Sequence, residues 1–128
     1  MCGTENKTST MYVDVIDSWH KRWPQVLKQI ETDGGRGKLM VDRDNWLSAR
    51  QCLLVAFNGD DVAGHLVFRM SPMAIEQQPE ESRHAIEAHL DDVAVRTGFD
   101  QGQVRKLLMD CARRYAGALR VNKLVNFG

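Results

Sequence analysis

Long apolar runs are missing from this 128-residue chain, and so is any excess of one charge: Lys plus Arg and Asp plus Glu stand at 17 each. The first absence excludes a transmembrane helix, which needs roughly 18 or more consecutive apolar residues. The polar stretch from Met1 to Thr10 also lacks the apolar segment that a signal peptide carries. The charge balance leaves no global field to steer the chain toward nucleic acid or an anionic membrane, so neither partner is expected. Cysteine is scarce too. Cys2, Cys52 and Cys111 form no C-x-x-C pair, and the last two fall in apolar segments where a thiol behaves as a small hydrophobe. That usage is expected of a reduced, cytoplasmic protein. No internal repeat or low-complexity tract interrupts the chain, whose length suits one core. Residues 1–10 are expected to form a flexible N-terminal segment and residues 11–128 a single domain.

What is present is a strand and helix alternation. Met11 to Ile16 alternates as a first strand. Asp17 or Ser18 can then cap a helix with an inward stripe of Trp19, Trp23, Val26, Leu27 and Ile30. Pro24 is comfortable only in a first helical turn, which moves the regular helix toward Trp23, and Gly34-Gly35 ends it. Asp44-Asn45 can cap a short helical turn carrying Trp46 and Leu47. Cys52 to Phe57 is a continuous apolar run, as in a strand covered on both faces. Asn58-Gly59-Asp60-Asp61 turns it into Val62 to Met70, a β-hairpin. Ser71 to Arg83, with two prolines, reads as a surface excursion. A strand from Ile86, a helix from about Gln103 to Ala116, and a last strand from Ala118 to Val125 complete the order. This is an α/β pattern, with the hairpin antiparallel and the closing strand-helix-strand unit parallel.

The strand from Ile86 changes phase. Ile86, Ala88 and Leu90 place apolar side chains on even positions, Val93 and Val95 on odd ones. An alternating strand does this by inserting a residue, so a β-bulge is expected around Asp91 and Asp92, exposing backbone groups that the neighbouring strand no longer pairs. The helix that follows offers unpaired N–H groups and the positive end of its dipole at Gln101 to Lys106, where Arg105 and Lys106 add charge. A long ligand with amides at one end and a pyrophosphate at the other fits such a junction.

These residues resemble the GNAT acetyltransferase superfamily, and the likeness covers most of the chain. Leu90-Asp91-Asp92-Val93-Ala94-Val95-Arg96 looks like the family's bulged fourth strand. Phe99, Gln101-Gly102, Val104 and Leu107-Leu108 are similar to its cofactor-binding segment, and Leu53 to Val67, with Val62-Ala63-Gly64, to its second and third strands. The resemblance implies a mixed central sheet with that hairpin, the bulged strand and a cofactor-binding helix. It also implies acetyl-CoA as substrate, held by the backbone of Val93, Ala94 and Val95 and by Gln101, Gly102, Gln103, Val104, Arg105 and Lys106, and a small amine or protein amine as acceptor. The family's loop of Gln or Arg, two residues, Gly, one residue, then Gly or Ala is matched at Gln101 and Gly102. Where later small residues belong, the chain has Gln103 or Val104 and then Arg105, whose side chains narrow the cradle. The chain ends at Gly128, before the family's later helix and last two strands.

Only a neutral amine attacks a thioester, so transfer needs a base, and imidazole, with an ordinary pKa near 6.5, suits it. His89 lies on the bulged strand two residues before Asp91, on one face with it if the bulge follows. The strand is similar to that of arylalkylamine acetyltransferases, which implicates His89 in deprotonating the amine. Glu87, placed on the opposite face, is the second candidate base. Tyr115 lies at a core-facing spacing inside the cofactor helix and reads as packing, not as a general acid.

Other readings fare worse. Arg105, Lys106, Arg113 and Arg114 suggest a DNA-recognition helix, but Asp100 and Asp110 interrupt them and no helix-turn-helix spacing precedes them. His65, His84 and His89 lack a completing ligand set, so no metal is expected. Trp19, Trp23 and Trp46 at helical spacing read as core, and Cys52 and Cys111 as inert thiols. Two functions stand: an N-acetyltransferase, or a non-catalytic GNAT-like acyl-CoA-binding or protein-interaction module. A last strand with Leu119, Val121, Leu124 and Val125 exposed along an edge is a surface that a homodimer could cover.

Overall fold

Alternation along one strand sets the layering of the whole domain. In the computed structural model, which describes residues 2–3, 11–33, 38–73 and 85–127, the apolar run starting at Cys52 forms β3 (Gln51–Asn58). Its odd residues Leu53, Val55 and Phe57 pack on one side with Trp23, Val26, Leu27 and Ile30 of α1 (Trp23–Thr32). Its even residues Leu54 and Ala56 pack on the other with Val104, Leu108, Ala112 and Ala116 of α2 (Gln101–Ala118). A strand sandwiched between two helices has no face left for polar side chains, which is why the run is continuous. Each large apolar side chain withdrawn from water here contributes about 1.5–3 kcal/mol.

The strands run in the order β1 (Cys2–Gly3), β2 (Met11–Ile16), β3, β4 (Asp61–Pro72), β5 (Ile86–Val95), β6 (Lys123–Val125). All neighbours are antiparallel except β5 and β6, which are parallel and joined through α2. The hairpin β3–β4 closes on Gly59 and Asp60, with Gly59 at φ 62°, the conformation a two-residue hairpin turn asks of its first central residue. Among the described residues no helix is long and apolar enough to cross a membrane.

Several boundaries differ from the sequence expectation. Asp17 caps a turn, not the helix: its carboxylate accepts from the Trp19 N–H at 2.9 Å, while α1 starts at Trp23 with Pro24 in its first turn and no side-chain cap. Trp19 therefore leaves the helical stripe and is 80% exposed, edge-on to Trp46 with ring centroids 4.7 Å apart. Of the three tryptophans only Trp23 is core. Asp44 to Leu47 is not helical, because Asn45 is left-handed at φ 64° and Val41 bridges Leu47. At the other end, α2 starts at Gln101 and runs through Gly117 to Ala118. Arg120, at φ 60°, takes the left-handed position, its N–H donating to the Gly117 carbonyl and that of Val121 to Ala116. This pattern ends a helix with glycine in most proteins and with arginine here. The last strand is consequently shortened to Lys123–Val125. The expected breaker Gly34-Gly35, the histidine His84, the excursion beyond Met73 and residues 4–10 of the expected flexible segment lie outside the described residues.

Candidate active site

β5 supplies most of the site, and its register explains why. Leu90 faces Phe68 and Asp92 faces Val67, so the pairing with β4 slips by one residue at Asp91. Ala88 and Leu90 before the slip and Val93 and Val95 after it all pack toward α2, although their numbers change parity. On its other edge β5 is paired with β6 only from Glu87 to His89. From Leu90 to Val95, among the described residues, that edge has no strand beside it. Six residues of open backbone at about 3.3 Å each make a ledge about 20 Å long, ending where α2 begins.

Polar side chains collect on the face of β5 turned away from α2. His89 Nε2 lies 2.8 Å from Glu87 Oε2. Glu87 is thus on the same face as His89, contrary to the expectation, because residues two apart on an unslipped strand share a face. Asp91 does not join them. Its Oδ1 accepts from Arg69 Nε at 3.1 Å, and its Oδ2 lies 3.5 Å from Gln51 Nε2. Gln51, a buried polar residue at 6% exposure, also accepts from the Met40 N–H at 2.6 Å and donates to the Lys38 carbonyl at 2.8 Å, stapling residues 38–40 to the slip.

Farther along, His65 Nε2 stands 3.9 Å from Asp92 Oδ2 in a cleft of about 330 Å³ that Asp33, Ala94 and Arg96 also line. Burial pushes the His65 pKa below its ordinary value, and the charges of Asp92 and Asp33 pull it back up. Sequence reading missed this group as a site: His65 stood out only as a metal candidate, and Asp33 and Arg96 belong to separate segments. No cluster among the described residues could hold a metal ion.

The helix end differs from an open cradle. Asp100 caps α2, its Oδ1 accepting from the Gln103 N–H at 2.8 Å. Gln101 turns back, its Nε2 lying 3.3 Å from the Val95 carbonyl and 3.5 Å from that of Arg96. Val104 is buried against Gly64, Arg105 is exposed, and Lys106 Nζ pairs with Asp110 at 3.3 Å. Among the described residues, Gln101 and Gly102 keep the first-turn N–H groups outside this cap. Tyr115 packs edge-on to Phe68 at 6.3 Å.

No protein-family model and no curated protein matches the chain in sequence. Solved structures match its shape. A ribosomal-protein-alanine N-acetyltransferase from Brucella melitensis biovar Abortus 2308 has a TM-score of 0.64 at 13% identity, covering 91% of this chain and 78% of that one. A GNAT family acetyltransferase from Staphylococcus aureus gives 0.63 at 8% identity, over 90% and 84%. An aminoglycoside N-acetyltransferase solved in complex with CoA gives 0.58 at 14% identity, over 91% and 76%. The chain has the GNAT acetyltransferase fold. Within the GNAT fold, β3 and β4 are the expected hairpin and β5 is the strand expected from Ile86. The ledge from Leu90 to Val95 offers backbone N–H and C=O groups along an open edge. The helix end carries the Asp100 carboxylate beside its first-turn N–H groups.

Proposed function

We propose that this protein is an acyltransferase that lays the pantetheine arm of acetyl-CoA along the ledge of β5 and moves its acetyl group to a primary amine. The observation that carries this reading is the unpaired ledge from Leu90 to Val95, starting beside the 2.8 Å His89–Glu87 contact and running to the N-terminus of α2. Backbone groups of Val93 and Val95 match amides as a neighbouring strand would. His89, oriented by Glu87, takes the proton that makes the amine neutral. The amine nitrogen then bonds to the thioester carbonyl carbon, the carbon–sulfur bond breaks, and the leaving thiolate takes the amine's second proton. The neighbour solved with CoA, and others acting on ribosomal-protein alanine or aminoglycosides, support this class of donor and acceptor. A homodimer formed over β6, where Leu124 is exposed, belongs to the same reading.

Calorimetric titration with acetyl-CoA, with free pantetheine as control, followed by thiol-release assays over a panel of primary amines, tests it. Micromolar binding and amine-dependent CoA release are expected. Failure of both ligands to bind at millimolar concentration overturns the reading. A second reading is favoured by the Asp100 cap: a non-catalytic GNAT-fold module that binds an acyl-pantetheine or a protein partner without turnover.

A further inference from the structure

Two tryptophans stay in water, although burying rings of that size stabilises a fold more than burying almost any other side chain. Trp19 is 80% exposed and Trp46 44%, and their rings meet at 81° with centroids 4.7 Å apart, so two aromatic faces stand at a right angle. A cleft of about 420 Å³ opens beside Trp46, between α1 and residues 44–46, a volume within the range of small-ligand sites. Hydrogen bonds hold its wall in shape. The Trp19 N–H donates to Asp17 Oδ1 at 2.9 Å, and the Trp46 and Asp44 N–H groups both donate to Asp42 Oδ1, at 3.0 and 2.9 Å. Asn45, left-handed at φ 64°, accepts at its carbonyl from Trp23 Nε1 at 2.9 Å, and the Leu47 N–H donates to Ser18 Oγ at 2.7 Å. These bonds engage the Asn45 carbonyl and the Ser18 hydroxyl within the wall. What lines the cleft besides is aromatic and aliphatic surface and charge. Lys28 and Glu31 on α1 carry opposite charges, and Asp44 leaves one net negative charge. Among the described residues neither Asp42 nor Asp44 forms an ion pair.

We propose that the Trp19–Trp46 corner, with the Asp44 side of the cleft, is a binding site for a quaternary ammonium, a cation whose nitrogen carries methyl groups in place of N–H donors. A tryptophan face attracts a cation within about 6 Å of its centroid through the ring quadrupole. Perpendicular rings offer two such faces to one group, and the Asp44 carboxylate balances its charge. Methyl groups ask for no hydrogen-bond acceptor, which suits a wall whose carbonyl and hydroxyl are already engaged, whereas a primary ammonium brings three donors that need partners. An anion meets Asp42 and Asp44, and a neutral group gains nothing from the net charge. The site stands apart from the acyl-transfer reading. It lies on the side of the sheet covered by α1, opposite α2, and a quaternary nitrogen has no lone pair with which to attack a thioester. A free trimethylammonium compound and a trimethylated lysine side chain share this chemistry.

The test is titration of the full chain with choline, followed by tryptophan fluorescence and NMR of the indole N–H signals, against 3,3-dimethyl-1-butanol, the neutral molecule of the same shape. Choline is expected to shift the Trp19 and Trp46 signals and to bind about fivefold tighter than the alcohol or more, as cation–π attraction requires. Trp19→Leu, at a position exposed enough to spare the fold, should weaken choline binding about threefold or more and leave that of the alcohol within about twofold. The comparison of choline with the alcohol needs no variant, so the test stands if Trp19→Leu folds poorly. A short peptide carrying trimethyllysine, beside its unmethylated twin, separates the sources. Tighter binding of the methylated peptide than of choline assigns the cation to a protein partner, the reverse order assigns it to a free molecule, and both support the site. Equal affinity for choline and the alcohol, no shift of either tryptophan at high millimolar choline, or choline affinity unchanged in Trp19→Leu overturns it.

Discussion

The Asp100 carboxylate accepts a hydrogen bond from the Gln103 backbone N–H at 2.8 Å, so the first turn of α2 already holds an anion. A helix N-terminus attracts phosphate through its unpaired N–H groups and its dipole, and a carboxylate in that place uses both. Asp100→Asn keeps a capping side chain and removes the charge. Its expected effect is acetyl-CoA binding tighter by several-fold, the equivalent of about 1 kcal/mol for one repulsion removed at a partly exposed site, with a loss of helix stability of about 0.5 kcal/mol or less. Calorimetry on the pair decides. If affinity does not change, the diphosphate does not meet this end of α2.

The contact between His89 and Glu87 makes a second prediction under the acyl-transfer reading. His89→Ala is expected to lower kcat by about 10²–10⁴ and to leave acetyl-CoA affinity within twofold, because the side chain stands on the face opposite α2. Glu87→Gln retains a hydrogen-bonding group beside the ring and should cost less. Steady-state kinetics with the best amine of the panel checks this: if His89→Ala turns over normally, the proton does not pass through His89.

Local chemistry made much of this architecture legible in advance. Asn58-Gly59 between two apolar runs specified the hairpin, and the change of apolar parity between Leu90 and Val93 pointed to the segment where the register slips at Asp91. The failures have physical causes as well. Trp19 left the stripe it matched by spacing, because α1 begins at Trp23, the start that Pro24 had indicated. Arg120 adopted a left-handed conformation that sequence rules reserve for glycine, so α2 outran Gly117. Gln51 opens an apolar strand, and nothing in its neighbours indicates that its amide holds the backbone of Lys38 and Met40. The cleft is assembled from Asp33 at a helix end, His65 and Asp92 on two strands and Arg96 just past the second, and no local pattern announces such a meeting.

Gly64 shows how tightly the ledge is backed. A Cβ added there would stand 2.6 Å from the Ala94 carbonyl oxygen, 3.2 Å from Val104 Cγ1 and 3.2 Å from Val95 Cα. The first of these is backbone of β5 and cannot swing aside. Gly64→Ala is expected to destabilise the fold by about 1–3 kcal/mol, the range for overpacking, through separation of β4 from β5 and α2. Urea denaturation measures this directly. An unchanged midpoint would mean that β4 and β5 sit farther apart than the ledge requires.

Burial gives Cys52 an alkaline signature. Its thiol is pushed from 9.0 up to about 11, so the unfolded chain ionises at a pH where the folded one still holds its proton. Folding then keeps its full stability below about pH 9 and loses it as pH rises toward 11. Tyr115 adds to the trend, since burial first, and then the charges of Cys52 and Asp17, push its phenol up. The urea midpoint is expected to fall between about pH 9 and 11, and to fall less in Cys52→Ala. At about pH 8 the same thiol is neutral, so disulfide reagents should label Cys52 far more slowly than an unfolded cysteine, measured in a Cys2→Ser background. Rapid labelling would show that an unrecognised positive group stabilises the thiolate beside β3, and the alkaline loss of stability should then vanish with it.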